Sequence, residues 1–399
     1  MRPSAEVPVS GETKVGSGHV LALDGVRGLA ILAVLAVHLL QSNDRSSSIV
    51  VQTLFSIRGL LWSGVTLFFS LSGYLITGIL FDTLGSEGYF RKFFARRALR
   101  IFPLYYGLIL LLLLLTWPLR LDWHGQAYRL LTYTTNLPFT PEWNANPSSY
   151  INLRHFWSLA VEEQFYLIWP LVVFWLRSWR KILAATLIGA GLSLAFRTAL
   201  ALTGSAPQNH TLPGCMDALL LGGALALLTR SKLREQVLRW GQPVFFGAVT
   251  ITLIEAFTHP GFDWGTSIYL TTIGMTVIAL GTTGLVAASL RAGSMAQAVC
   301  CSRPLRFFGR YSYGLYVYHY SVDAALASPM RAALEGQGFS KPWAILAAAA
   351  VVGLVSVGLA LLSYNLYEKH FLRLKRFIPY ERGVAPDRLD AGVATRQPN

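Results

Sequence analysis

Residues 101–118 read Ile-Phe-Pro-Leu-Tyr-Tyr-Gly-Leu-Ile-Leu-Leu-Leu-Leu-Leu-Leu-Thr-Trp-Pro. No charge interrupts them. At about 1.5 Å of rise per residue, such a run makes a helix of roughly 27 Å, close to the hydrocarbon thickness of a bilayer. Arg96, Arg97 and Arg100 stand just before it and Trp117 near its far end, as anchors at a membrane boundary do. Comparable runs recur near 19–40, 57–81, 156–176, 182–203, 214–229, 242–257, 266–290, 311–328 and 342–366. The composition agrees with this reading. Of 399 residues, 53% are hydrophobic and only 14% charged, about half the charged share of a soluble domain. That excludes a disordered or collagen-like chain and argues against a soluble enzyme. The expected fold is all-α, a polytopic membrane helix bundle of about ten transmembrane helices. Residues 19–377 form the membrane domain, between polar tails at 1–18 and 378–399.

The formal net charge is +14. Such an excess marks either nucleic-acid binding or topology. With the N-terminus inside, 25 Lys and Arg fall on inner segments and 7 on outer ones. That asymmetry puts both termini in the cytoplasm. The basic residues are spread over six segments without a single patch, which disfavours nucleic acid. Cys215, Cys300 and Cys301 make neither a disulfide framework nor a metal-ligand spacing. Residues 1–18 lack the apolar core of a signal peptide. The loop 119–154 is long and rich in Trp, Tyr, Asn, Thr and Pro. It is either functional or a set of aromatics lying at the headgroup level.

A charge inside a spanning helix is costly, so each one is a candidate for function. The first span holds Asp24, Arg27 and His38; the fourth Glu162 and Glu163; the fifth Arg197; the sixth Asp217; the ninth His319 and Asp323. Arg27 and His38 are eleven residues apart, which returns them to nearly one face and separates them by roughly 16 Å. Asp24 is spaced to pair with Arg27. Glu162 and Glu163 point about 100° apart, so at most one faces the cavity of His38. A carboxylate there can orient a histidine base, or it can simply bond neighbouring helices. Arg97 and Arg100 sit three apart at an expected helix start. Forked guanidinium groups and a helix N-terminus both suit phosphate oxygens, although topology charge explains them as well. His319 and Asp323 can pair along one helix, and Arg197 and Asp217 between two. Gly64, Gly73 and Gly78 allow close helix packing. No P-loop, dinucleotide fingerprint or Gly-x-Ser-x-Gly is present.

Taken together, several segments resemble the membrane-bound acyltransferase 3 family. They are Leu23-Asp24-Gly25-Val26-Arg27-Gly28 running to His38, Phe69-Ser70-Leu71-Ser72-Gly73-Tyr74, Arg97-x-x-Arg100 with Pro103, and His155 to Tyr166. Later echoes are Asp217-Ala-Leu-Leu-Leu-Gly222, Ser312 to His319, and Glu368. The resemblance spans about residues 19–377. It implies a multi-pass enzyme of a bacterial cytoplasmic membrane. Such an enzyme moves an acyl group, often acetyl, from acyl-CoA to a hydroxyl of a carbohydrate, glycan or related metabolite. The expected roles are His38 as general base, with Glu162 or Glu163 setting its tautomer. Arg97 and Arg100 hold donor phosphates, with Arg27 deeper in. Ser158, Asp217 and His319 are weaker candidates for substrate contacts, and no metal is expected. The chain departs from the family where Cys215 and Met216 precede Asp217 and where Lys369-His370 follows Glu368, which leaves the acceptor open. Some members carry an extra hydrolase-like domain. This chain is short for one, so acceptor recognition is expected from the bundle and its loops. The competing class is a transporter, since buried Arg, His and Glu also build proton-coupled carriers; no inverted repeat favours it.

Overall fold

The computed structural model describes residues 20–40, 61–137, 146–205, 209–258, 267–381 and 383. The expected tail 1–18, most of the tail 378–399, and Arg45 and Arg58 lie outside the described residues. Among the described residues there is no strand, only an isolated bridge between Ser148 and Ile151. The helices are α1 (Leu21–Leu39), α2 (Ser63–Asp82), α3 (Tyr89–Leu114), the short α4 (Ala127–Leu131), α5 (Trp157–Leu176), α6 (Trp179–Leu202), α7 (Leu212–Leu228) and α8 (Arg234–Thr258). Then come α9 (Met275–Leu290), the short α10 (Met295–Cys300), α11 (Arg303–Gly336), α12 (Lys341–Ser363) and the short α13 (Lys369–Leu374).

Eight described segments are long and apolar enough to cross a membrane. The other two expected spans are helices of different character. α7 has 17 residues. α11 has 34 and starts amphipathic, with Arg303, Arg306 and Arg310 in its first turns. α7, α11 and α12 each start behind Thr211, Ser302 or Ser340, with a proline in the first two positions. There the missing N–H costs nothing.

α1 packs along α11, α2 along α7, α8 against α9, α11 against α12, and α6 against α7. Glycines set the closest crossings. A Cβ on Gly28 would stand 1.9 Å from the Leu305 carbonyl oxygen, and one on Gly309 1.8 Å from that of Asp24. A Cβ on Gly73 would stand 1.8 Å from the Leu219 oxygen, and one on Gly222 1.9 Å from that of Ser70. Backbones therefore touch at both crossings, as small residues permit within membranes. Two segments are central: those holding α2 and α9 bury 67% of their most apolar windows, against 17% for α8 and 22% for the segment 341–377. The peripheral helices expose Leu110, Leu114, Trp175, Ile188, Ile254 and Leu354, as a lipid-facing rim must.

Two π-helical turns interrupt the bundle. In Leu270–Gly274, the Thr272 carbonyl accepts from Arg197 Nε at 3.2 Å. In Tyr364–Glu368, the buried Glu368 accepts from Ser363 Oγ at 2.9 Å. Both turns leave carbonyls or side chains for partners outside the ladder.

Two expectations about boundaries change. α3 begins at Tyr89, well before the expected start near residue 101. Phe90, Phe93 and Phe94 alternate with Arg91, Lys92 and Arg96 there, so the basic stretch is an amphipathic helix and not a loop. Arg97 and Arg100 thus lie inside a helix, and anion binding by a helix N-terminus does not apply to them. Cys300 closes α10 and is buried against the α1 crossing, in the stretch between the expected spans 266–290 and 311–328. The described part of the loop after α3 is folded onto the bundle. Tyr105 and Tyr106 donate to the Leu130 and Leu131 carbonyls, and Gln164 exchanges hydrogen bonds with Asn136.

Candidate active site

Two adjoining cavities run beside α1. The first is lined by Arg27, Arg97, Arg100, Ser72, Ser158, Glu162, Tyr166, Ser312 and Tyr313 among others. The second is lined by His38, Trp62, Arg154, His155, Trp157, His210 and Tyr320 among others. Val65 and Tyr316 belong to both walls. We call them the arginine cavity and the histidine cavity.

The arginine cavity gathers three cations from two helices. Asp24 Oδ1 accepts from Arg27 Nη1 at 3.0 Å, the ion pair that the spacing predicts. Arg97 lies near the rings of Phe93 and Tyr166, and its Nε is buried without a hydrogen-bond partner. Arg96, one residue earlier, turns away. Its Nη1 donates to the Lys375 and Ile378 carbonyls at 2.9 and 2.7 Å, and its guanidinium lies over the Tyr380 ring. Lys92 Nζ reaches Glu381 at 2.6 Å. The segment 375–381 is thus strapped to the first turns of α3, and Arg97 and Arg100 are left to face the cavity.

Glu162 faces this cavity and not that of His38. It sits by Ser72 and Tyr166, within electrostatic reach of Arg97 and Arg100. Glu163 turns the other way, toward Tyr105, Tyr106 and Tyr133, and its Oε1 is buried without a hydrogen-bond partner. Ser158 hydrogen-bonds the hydroxyl of Tyr316. That hydroxyl also donates to the His155 carbonyl at 2.7 Å. These contacts fix the wall between the cavities.

His38 meets a partner that spacing did not suggest. Its Nδ1 lies 3.0 Å from Nε2 of His319 on α11. His319 Nδ1 lies 3.1 and 2.9 Å from the carbonyl oxygens of Leu315 and Tyr316. Carbonyls only accept, so Nδ1 of His319 carries the hydrogen. His319 has no exposed surface, and a charged ring there bears a desolvation cost of several kcal/mol. The neutral ring presents a lone pair at Nε2, and His38 Nδ1 must donate to it. The lone pair of His38 then resides on Nε2. The hydrogen bond at one nitrogen sets the chemistry of the other. His319, expected as a substrate contact, instead sits where the sequence reading put a glutamate. The His319–Asp323 pair is not formed through this nitrogen, and Asp323 Oδ1 is buried without a partner. The ring of Tyr320 lies 4.5 Å from that of His38, and Arg331 donates to the Leu39 carbonyl at the end of α1.

Asp217, the other weak candidate, is committed elsewhere. Its Oδ2 accepts from Arg197 Nη2 at 2.8 Å and from Thr276 Oγ1 at 2.7 Å. Arg197 also reaches the Gly214 carbonyl and Ser193. This fully buried pair joins α6, α7 and α9 and lines neither cavity. Among the described residues, no group of three His, Cys, Asp or Glu side chains is placed to hold a metal ion.

Comparisons with known proteins point to one family. A family profile described as an acyltransferase domain matches residues 20–364. The chain is 30% identical over 332 residues to the peptidoglycan O-acetyltransferase OatA of Listeria monocytogenes, covering 78% of this chain and 50% of that protein. It is 28% identical over 395 residues to the putative peptidoglycan O-acetyltransferase YrhL of Bacillus subtilis, covering 92% and 57%. It is 28% identical over 330 residues to the O-acetyltransferase OatA of Staphylococcus aureus, covering 76% and 50%. The chain therefore spans about half the length of the curated relatives it matches. No solved structure matches it. With its apolar helices and a profile match over nearly its whole length, the chain belongs to the acyltransferase 3 family of multi-pass integral membrane proteins.

Proposed function

We propose that this chain is an O-acyltransferase of a bacterial cytoplasmic membrane. It takes an acyl group, acetyl in the simplest case, from acyl-CoA and transfers it to a glycan hydroxyl. The single observation that carries this reading is the pair of adjoining cavities, one lined by arginines and the other by histidines. Arg27, Arg97 and Arg100 suit the phosphates of a donor entering from the cytoplasm, because guanidinium groups match phosphate oxygens in charge and fork geometry. The donor's flexible arm would pass Val65 and Tyr316 and present its thioester near His38. The roughly 16 Å between Arg27 and His38 along α1 matches that task. The names of the relatives favour a cell-wall glycan as acceptor.

His38 Nε2 takes the proton of the acceptor hydroxyl as its oxygen bonds to the acyl carbon. The carbonyl electron pair moves onto oxygen and returns as the carbon–sulfur bond breaks. The departing thiolate receives the proton from His38 Nε2. An ester and a free thiol result, and the protein ends unchanged. His319 holds His38 in the tautomer that this requires.

The test is to incubate the protein, in nanodiscs, with [14C]acetyl-CoA and glycan fragments of peptidoglycan. Alkali-labile label on the glycan is the expected result. Absence of both transfer and thioester hydrolysis, with glycan movement across vesicles, would favour the transporter class and contradict the proposal.

A further inference from the structure

The 3-10 turn Lys375–Phe377 follows α13 directly. Its backbone is held in place. The Lys375 carbonyl accepts from Arg96 Nη1 at 2.9 Å and from the Ile378 N–H at 3.1 Å. Further on, the Gly383 N–H donates to the Asp82 carbonyl at 3.0 Å, and a Cβ on Gly383 would stand 1.8 Å from the Leu84 carbonyl oxygen. These contacts tie the turn to the end of α2 and the start of α3, beside Arg97 and Arg100. Basic residues after a helix are ordinary, because they offset its dipole. Arg373 and Arg376 fit that account and are exposed. Lys375 does not fit it. It is half-buried, and its strongest charge interactions are with Arg100, Arg97, Arg96 and Arg27. The carboxylates nearby serve other cations. Asp24 pairs with Arg27 and Glu381 with Lys92, Glu162 and Glu163 act on Arg97, and Glu368 acts on Arg100. Among the described residues, none of them makes an ion pair with Lys375. An ammonium turned toward four guanidinium groups is repelled by each of them. An anion between them offsets that cost.

Building on the reading that acyl-CoA is the donor, we propose that Lys375 binds the phosphate monoester on the donor's ribose, and so discriminates coenzyme A from its dephospho form. From the thioester outward, acyl-CoA carries a flexible arm, a diphosphate and then a nucleoside whose ribose bears the monoester. With the thioester near His38, the arm runs along α1 and the diphosphate meets Arg27, Arg97 and Arg100. The monoester then lies beyond them, on the side away from His38. Lys375 stands on that side. It comes in from the turn bonded to Arg96, and Arg100 and Arg97 act on it more strongly than Arg27 does. A compact ammonium on a flexible stem suits a phosphate monoester as a point charge. Arg96 has another task. Its Nη1 is committed to the Lys375 and Ile378 carbonyls and its guanidinium lies over Tyr380, so it positions the turn that carries Lys375.

The test measures binding of coenzyme A and of dephospho-coenzyme A by calorimetry, for the full chain in phosphatidylcholine nanodiscs with and without phosphatidylglycerol. Wild-type protein is expected to bind coenzyme A at least about tenfold more tightly than the dephospho form. Lys375→Gln is expected to lose about tenfold in affinity for coenzyme A and less than threefold for the dephospho form, so that the preference disappears. Lys375→Arg, which keeps the charge, should retain most of it. In acetyl transfer, Lys375→Gln should raise KM for acetyl-CoA and leave kcat within threefold. Should Lys375→Gln not assemble on size exclusion, Lys375→Met replaces it with the same expected loss. Equal weakening of both ligands, or no weakening of either, would overturn the inference alone. So would unchanged coenzyme A binding with loss of phosphatidylglycerol retention, which would assign the lysine to a lipid headgroup. Wild-type protein that binds neither ligand would overturn the donor reading and this inference with it.

Discussion

Replacing His319 by Phe removes the acceptor that fixes the His38 tautomer. The His38 Nδ1–H, now buried at 8% exposure, is left without that partner. Leaving a buried donor unsatisfied costs about 1–3 kcal/mol. At about 1.36 kcal/mol per decade this is roughly a 5- to 150-fold loss in kcat, with no direct effect on donor binding. His319→Gln puts an amide oxygen near the place of Nε2 and restores the acceptor. The Leu315 and Tyr316 carbonyls lose a partner but keep their helical bonds. Transfer from radiolabelled acetyl-CoA, measured across donor concentrations, reads both variants. His319→Phe should lower kcat and leave KM for the donor nearly constant, and Gln should recover most of the loss. An assembled His319→Phe with wild-type kcat would refute the tautomer argument. So would equal losses for Phe and Gln, which a purely structural role predicts.

Other expectations follow from the same geometry. Arg97→Gln or Arg100→Gln removes a charge-assisted contact of about 1.5–3 kcal/mol, so calorimetry with coenzyme A should show at least about a tenfold weaker Kd. An unchanged Kd would count against phosphate binding in the arginine cavity. Arg197→Met breaks a fully buried ion pair and should cost about 3–5 kcal/mol. Adding Asp217→Leu should restore part of the thermal stability in detergent, and a double variant less stable than either single one would contradict this. Gly309→Val places carbon against the Asp24 carbonyl. It should lower the melting temperature and abolish transfer by parting α1 from α11; unaltered melting would show that the crossing can relax.

Much of the architecture was legible because lipid tolerates so few solutions. Apolar runs of spanning length became helices, and the Asp24–Arg27 and Arg197–Asp217 pairs followed from charges that must be neutralised within the bundle. The start of α3 was misplaced because basic residues interleaved with phenylalanines read as loop charge, although their spacing is helical. The partner of His38 was not legible. His319 is 281 residues away in sequence, and it arrives through the backbone contact of Gly28 and Gly309 near the other end of α1. No local period encodes which of several buried polar groups completes such a crossing. The two glutamates were correctly expected to diverge, yet Glu162 joined the arginines. His155 was visible only as part of a motif, and its place beside the His319 ring needed coordinates to be seen.

The central claim is that His38 removes the acceptor proton. Its most direct test is transfer of [14C]acetyl from acetyl-CoA to peptidoglycan fragments by His38→Ala, at matched protein amount and with coenzyme A binding measured in parallel. The account predicts a loss of at least about 100-fold in kcat, with coenzyme A affinity unchanged. Near wild-type transfer by an assembled His38→Ala protein would contradict it.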